Sequence, residues 1–183
     1  MNVRAFFALR IPDKITRQLS NFADELCEFD KGLDAHWVDS SNYHLTLCFL
    51  GQISIDQVEQ LESRVSQILE QPRFSVQLDH IGYYALSPKL SVVAAMVSEQ
   101  QEIADLHDQI VQIAADCGIE YTERNFVPHV TLARLPSDNR FAADADLPAL
   151  DLNLPADAIV LLQSRPGEKG SIYTPLFEVD LLS

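Results

Sequence analysis

The chain has 183 residues, the length of one domain or of two small fused lobes. Apolar residues make up 47 % of it, enough to bury a core, yet no apolar run approaches the ~18 residues that a membrane helix needs. The formal charge of −14 excludes broad, sequence-independent binding of nucleic acid, because an acidic surface repels a polyanion. It leaves room for a small cleft that holds a single phosphate.

The first half of the chain predicts strands separated by two amphipathic helices. Residues 3–11 form a buried strand, after which Pro12 opens a helix with apolar residues spaced along one face. Residues 42–51 form the next strand. Ser54 and Gln57 have the spacing of a capping box and therefore predict the start of a second helix.

The second half of the chain predicts a third helix among several strands. Ser98 and Gln101 have the same capping spacing, and Gly118 suits the end of that helix. Residues 136–157 are rich in Pro, Asp and Ala and predict a surface loop. The remaining strands are predicted at 73–85, 89–97, 126–135, 158–165 and 171–182.

The three cysteines, Cys27, Cys48 and Cys117, are scattered and odd in number, with no CxxC pair among them. They indicate neither a disulfide framework nor a zinc site, so we expect a reducing, cytoplasmic setting. The N-terminal apolar run is too short, and too soon followed by charge, for a secretory signal.

Two segments, "HLTL" and "HVTL", repeat one pattern in which a histidine and a threonine lie two residues apart. Side chains alternate between the two faces of a strand, so His44 and Thr46 share a face. The same holds for His129 and Thr131, while the aliphatic neighbours in each motif face the core. Because each motif strand follows a predicted helix, we expect an α+β fold of two similar lobes with mostly antiparallel sheets.

Two opposed imidazoles suit an in-line displacement at phosphorus. Imidazole has a pKa of about 6.5, so near neutral pH one ring can accept a proton from the attacking oxygen while the other donates one to the leaving oxygen. Threonine hydroxyls can donate hydrogen bonds to the non-bridging phosphoryl oxygens, where charge gathers in the transition state. Such a site needs no metal and no cofactor.

Two other interpretations of the motifs remain open. A histidine in such a strand can be a half-buried structural residue with its hydrogen bonds satisfied. Two histidines can also bind zinc, although a third protein ligand is usual, and neither motif carries a carboxylate on the histidine face.

Five further residues have alternative interpretations. His80 and His107 are expected to be structural, the first at the edge of the core and the second on a helix. Cys48 has the same parity as His44 and is expected at the border of the cleft. Phe7 and Tyr173 could stack on a base, with core packing as the alternative for each.

The two motifs, together with "FFAL" near the start, "HLTLCFLG" and "FVPHVTLAR", resemble the 2H phosphoesterase superfamily. The resemblance extends over roughly residues 3–181 and is strongest to the bacterial group of RNA 2′,3′-cyclic phosphodiesterases, also known as 2′–5′ RNA ligases. It implies one bilobal domain over residues 1–183, with two pseudo-symmetric lobes, outer helices and a central cleft.

The resemblance also implies a reaction and roles for individual residues. The reaction is hydrolysis of a 2′,3′-cyclic phosphate at an RNA end or on a nucleotide to a 2′-phosphate, with 2′–5′ ligation as its reverse. His44 corresponds to the proton donor and His129 to the proton acceptor, while Thr46 and Thr131 hold the phosphate. Arg134 corresponds to an arginine near the phosphate, although strict alternation puts it opposite His129 unless a bulge re-aims it.

Two alternatives to this reaction stay open. The chain could be a binding module that holds a nucleotide or an RNA end without turnover, or a 2H enzyme for a different cyclic or 2′–5′-linked phosphoester. In each case we expect a monomer that contacts no membrane and acts on RNA 3′ ends or on small nucleotides.

Overall fold

The computed structural model describes residues 1–30, 35–121, 125–136 and 146–183. Its three helices are α1 (Asp13–Cys27), α2 (Ile55–Ile68) and α3 (Gln101–Asp116). Its strands are β1 (Asn2–Leu9), β2 (His36–Trp37), β3 (Leu45–Ser54), β4 (Phe74–Ser87), β5 (Leu90–Val97), β6 (His129–Pro136), β7 (Leu152–Ala156), β8 (Ala158–Gly167) and β9 (Gly170–Asp180).

The helices form where the apolar spacing predicts them, and their starts differ in detail. Ser54 caps α2 through its hydroxyl while the side chain of Gln57 bonds back to the Ser54 amide, which confirms the predicted capping box. The capping box predicted for α3 at Ser98 is wrong. That helix follows Gln100, whose side chain bonds instead to the backbone of Ser75 and Gln77 on β4.

The strand order in the sheet is β7-β4-β5-β6-β3-β1-β8-β9, and every pair of neighbours in this order is antiparallel. At the centre β3 and β6 meet through Leu45 and Val130, and four strands lie on each side of this junction. The short strand β2 adds to β6 outside this order. The architecture confirms the expected α+β fold with mostly antiparallel sheet.

One face of the sheet packs against the helices and forms the main core. This core joins residues such as Phe7, Leu45 and Val130 on the strands to Leu19 and Ile110 on the helices. We call the opposite face the cleft face. Its apolar residues form two separate small clusters, Phe6, Ala8 and Val160 in one half, and Val92, Ala94 and Met96 in the other.

Both motif strands contain a β-bulge directly after the threonine. In β3, Thr46 pairs with Ala8 whereas Cys48 pairs with the next residue back, Phe7, so Leu47 is the extra residue. In β6 the register with β5 shifts in the same way, between Thr131 and Ala133. A bulge reverses the alternation of side chains beyond it, so each strand turns two successive residues into the core.

Three predictions made from the sequence need correction. Cys48 does not share the face of His44, because the bulge turns its side chain into the core, where it is 1 % exposed. It still borders the cavity that opens beside His129. His80 does not lie at the edge of the core. A register shift at Asp79 moves it to the other face, where it is exposed beside the Asp79 carboxylate. The predicted loop at 136–157 contains the edge strand β7, and its residues 137–145 lie outside the described chain.

Candidate active site

The two motif histidines lie where two neighbouring strands begin. His129 begins β6 and His44 immediately precedes β3. Because Leu45 pairs with Val130, continuing the antiparallel register by one residue sets His44 opposite Thr131. The same step in the other direction sets Thr46 opposite His129. His44 and His129 are therefore diagonal neighbours across the two strands. Such neighbours lie ~7–8 Å apart at their Cα atoms, a separation that long side chains bridge.

Both imidazoles are held in the same way by their own backbone. The Nδ1 of His44 lies 2.8 Å from the carbonyl oxygen of Asn42, and the Nδ1 of His129 lies 2.7 Å from that of Val127. A carbonyl only accepts hydrogen bonds, so each Nδ1 carries the proton and donates it. Each Nε2 is therefore the nitrogen that exchanges protons, as an acceptor on a neutral ring and as a donor on a charged one.

The surroundings of both rings disfavour the charged form. Burial lowers the pKa of His44 below its ordinary value, and the positive charges of His129 and Arg134 lower it further, against the effect of the Asn42 carbonyl. Burial also lowers the pKa of His129, against the effect of the Val127 carbonyl. A bound anion would reverse this balance by stabilising positive charge between the rings.

The bulge in β6 brings Arg134 to the same face as His129. Beyond the bulge Arg134 pairs with Val92, and Thr131 pairs with Ala94 before it. Val92 and Ala94 belong to one cluster on the cleft face, and cross-strand partners share a face. The positive charge of Arg134 is also one of the causes that lower the pKa of His44.

Aromatic side chains surround the His44 ring. Its centroid lies 4.8 Å from that of Phe6 and 5.0 Å from that of Tyr173. Phe7 instead packs against Phe177 in the core and is fully buried. Phe6 was therefore not predicted as a site residue. The exposed arginines at positions 4 and 10 were the available signal, because they have the parity of Phe6.

A cavity of about 370 Å³ opens beside His129. Its wall includes Thr46 and Phe49 from β3 and Tyr84 from β4, whose ring centroid lies 5.2 Å from that of His129. Phe126 and Val127, in the segment leading into β6, line it as well. The wall therefore combines aromatic and aliphatic side chains, and the His129 ring forms part of it.

Within the described ranges, no three His, Cys, Asp or Glu side chains come together as a group that could hold a metal ion. Within the same ranges, no helix has both the length and the apolar character to cross a membrane.

Comparisons with known proteins agree on one group of relatives. The chain is 25 % identical over 181 residues to an RNA 2′,3′-cyclic phosphodiesterase of Thermotoga maritima, covering 96 % of this chain and 94 % of that protein. It is 28 % identical over 173 residues to the Escherichia coli protein of the same name, covering 94 % and 93 %. The crystal structure of E. coli LigT complexed with 3′-AMP superposes with a TM-score of 0.83 at 26 % identity, covering all of both chains.

The fold and the paired histidine motifs define the class of 2H phosphoesterases. The family model described as "LigT like Phosphoesterase" matches residues 9–93 and 95–173, and the chain belongs to this family. The resemblance inferred from the two motifs is thereby confirmed.

Proposed function

We propose that this protein hydrolyses the 2′,3′-cyclic phosphate of an RNA end or a nucleotide to a 2′-phosphomonoester, by acid–base catalysis between two histidines. The observation that carries the proposal is the pair of imidazoles where two neighbouring strands begin, each with Nδ1 bonded to a backbone carbonyl. The names of the relatives and the 3′-AMP bound to E. coli LigT support the choice of substrate.

In this mechanism His129 is the base and His44 is the acid. The neutral Nε2 of His129 takes a proton from water as the water oxygen attacks phosphorus. The P–O3′ bond breaks on the opposite side, and O3′ receives the Nε2 proton of His44. The product keeps its phosphate on O2′, and the two rings have exchanged protonation states.

The remaining site residues stabilise the phosphoryl group. The hydroxyls of Thr46 and Thr131 donate hydrogen bonds to the non-bridging oxygens, and Arg134 supplies a positive charge beside them. Tyr173, which is half-buried, offers its ring on the His44 side, where the nucleoside that carries O3′ would lie. Phe6 is 2 % exposed and packs behind the His44 and Tyr173 rings. A 5′-hydroxyl in place of water would run the same steps to a 2′–5′ linkage.

The proposed enzyme works without a metal, as a monomer and in the cytoplasm. Proton transfer replaces Lewis-acid activation at both oxygens, so the chemistry requires no divalent ion. Both motifs come from one chain, and a single copy therefore contains the whole set of proposed groups.

Turnover of 2′,3′-cyclic AMP by His44→Ala and His129→Ala variants tests this proposal. Each substitution removes one proton-transfer group, and we expect kcat to fall by ~10²–10⁴. EDTA should leave the wild-type rate unchanged, and phosphorus NMR should show a 2′-phosphate as the sole product. The matched control is His80→Ala, because His80 is exposed and bonds to Asp79.

Other results of these assays would contradict the proposal or favour one of its alternatives. Full activity in either motif variant would contradict two-histidine catalysis. Tight binding of the cyclic nucleotide with no product from the wild-type protein would favour a binding module. A 3′-phosphate product, or turnover confined to another phosphoester, would indicate a different 2H reaction.

A further inference from the structure

His107 is a buried histidine on α3 that the proposed mechanism does not use. Its side chain is 7 % exposed, and its Nδ1 lies 2.6 Å from the carbonyl oxygen of Leu47. The carbonyl can only accept, so Nδ1–H is the donor. The bond joins α3 to the backbone of the first motif strand, 60 residues earlier in the chain.

The acceptor of this bond is the bulge residue of β3. Leu47 is the extra residue between Thr46 and Cys48, and an extra residue is left out of the regular ladder. A buried carbonyl without a partner is costly, so a bulge at this depth needs a donor from elsewhere. His107 supplies that donor one residue after the threonine of the motif.

One face of the His107 ring contacts the segment that leads into the second motif. The rings of His107 and Phe126 are stacked, with centroids 4.0 Å apart and planes within 4°. Phe126 immediately precedes Val127, whose carbonyl accepts the Nδ1–H of His129. The His107 ring therefore lies between the backbone beside Thr46 and the backbone that orients His129.

We propose that His107 is a positioning residue that fixes the two motif strands relative to each other, through its bond to Leu47 and its stacking on Phe126. This inference rests on the proposed function. It predicts that loss of either contact displaces His129 relative to Thr46, and a displacement of about 1 Å can cost as much as ~10²-fold in rate.

Two substitutions separate the two contacts. His107→Phe keeps an aromatic ring against Phe126 and removes the donor to Leu47. His107→Asn places an amide nitrogen where Nδ1 was and removes the ring. We expect each to lower kcat on 2′,3′-cyclic AMP by about tenfold or more, with KM changed by less than about threefold, because the reacting groups and not the binding surfaces are displaced.

The matched control is Ile110→Val, which removes one buried methylene from the same helix. Every variant is assayed well below its own Tm, so that equal fractions are folded. An independent readout is the solvent-exchange rate of the His129 Nδ1 proton, followed by NMR. It should rise in both His107 variants and stay at the wild-type value in Ile110→Val.

Three results would overturn the inference. They are wild-type kcat in either His107 variant, an equal loss of kcat in Ile110→Val, or unchanged exchange of the His129 proton in both His107 variants. Failure of the proposed function has a different signature, the absence of turnover in the wild-type protein. The exchange measurement still tests His107 in that case.

Discussion

At the scale of single residues, the two imidazoles are chemically equivalent and differ in what surrounds them. Each donates Nδ1–H to the carbonyl two residues earlier, so either ring could serve as acid or base. The positive charge of Arg134 disfavours protonation of His44 in the free protein. The bound phosphate must therefore provide the negative charge that keeps one ring protonated during the reaction.

The lowered pKa values predict the pH dependence of kcat/KM. The active form has one neutral and one protonated imidazole, so the bell-shaped profile is centred midway between the two apparent pKa values. Both lie below the ordinary imidazole value, so the maximum of kcat/KM should lie below about pH 6.5. The kcat profile should lie at higher pH, because the substrate anion raises both pKa values. A kcat/KM maximum above pH 7 would contradict this account.

Arg134→Gln provides the matched test of the same electrostatics. Loss of the guanidinium removes a cause that lowers the pKa of His44, so the kcat/KM profile should move to higher pH. The substitution also removes a charged contact to phosphate, and KM should rise by roughly tenfold or more. An unchanged profile and KM would show that Arg134 lies too far from the phosphate to act on it.

At the scale of elements, the two bulges build the site, and they are what the sequence pattern could not reveal. Strict alternation predicted Arg134 opposite His129 and Cys48 beside His44. One extra residue in each strand reverses both placements. A bulge depends on pairing with the neighbouring strand. The apolar residues that follow each threonine, "LC" and "LA", fit a strand with or without the bulge.

The helices and most strands were predictable because their signals are local. The one-face spacing in α1 and the capping box of α2 depend only on nearby residues. The strand β7 was hidden, although its burial alternates along "LNLPA", because Pro155 and the surrounding Asp and Ala residues resemble a loop. Proline is tolerated there because β7 is an edge strand.

The capping box of α2 gives a test of stability that is independent of the site. Ser54→Ala removes the hydroxyl that accepts a hydrogen bond from the backbone N–H of Gln57. We expect the free energy of unfolding to fall by about 1 kcal/mol. Urea denaturation measures the change, with the exposed Ser63→Ala on the same helix as the control. A loss equal to that of the control would show that the cap contributes nothing.

At the scale of the whole molecule, the charge of −14 limits how much of an RNA chain the protein can hold. Asp and Glu number 27 against 13 Lys and Arg, and Arg134 is the cation proposed for the phosphate. The surface therefore favours a terminal nucleotide over an extended strand.

The dependence of KM on salt and on substrate length tests this limit. With one phosphate contact from a cation, the slope of log(1/KM) against log[salt] should be about −1 or shallower. An oligoribonucleotide with a cyclic end should have a KM within about threefold of that of 2′,3′-cyclic AMP. A steep slope, or a KM that falls steadily with added nucleotides, would reveal an extended basic track.

The proposed mechanism requires the two motif imidazoles to bind one phosphate group between them. The most direct measurement is an NMR titration of the His44 and His129 side chains with inorganic phosphate. The account predicts that both pKa values rise, that both Nε2 resonances shift along one shared binding curve, and that both Nδ1 atoms stay protonated. A response from only one ring, or two separate dissociation constants, would contradict it.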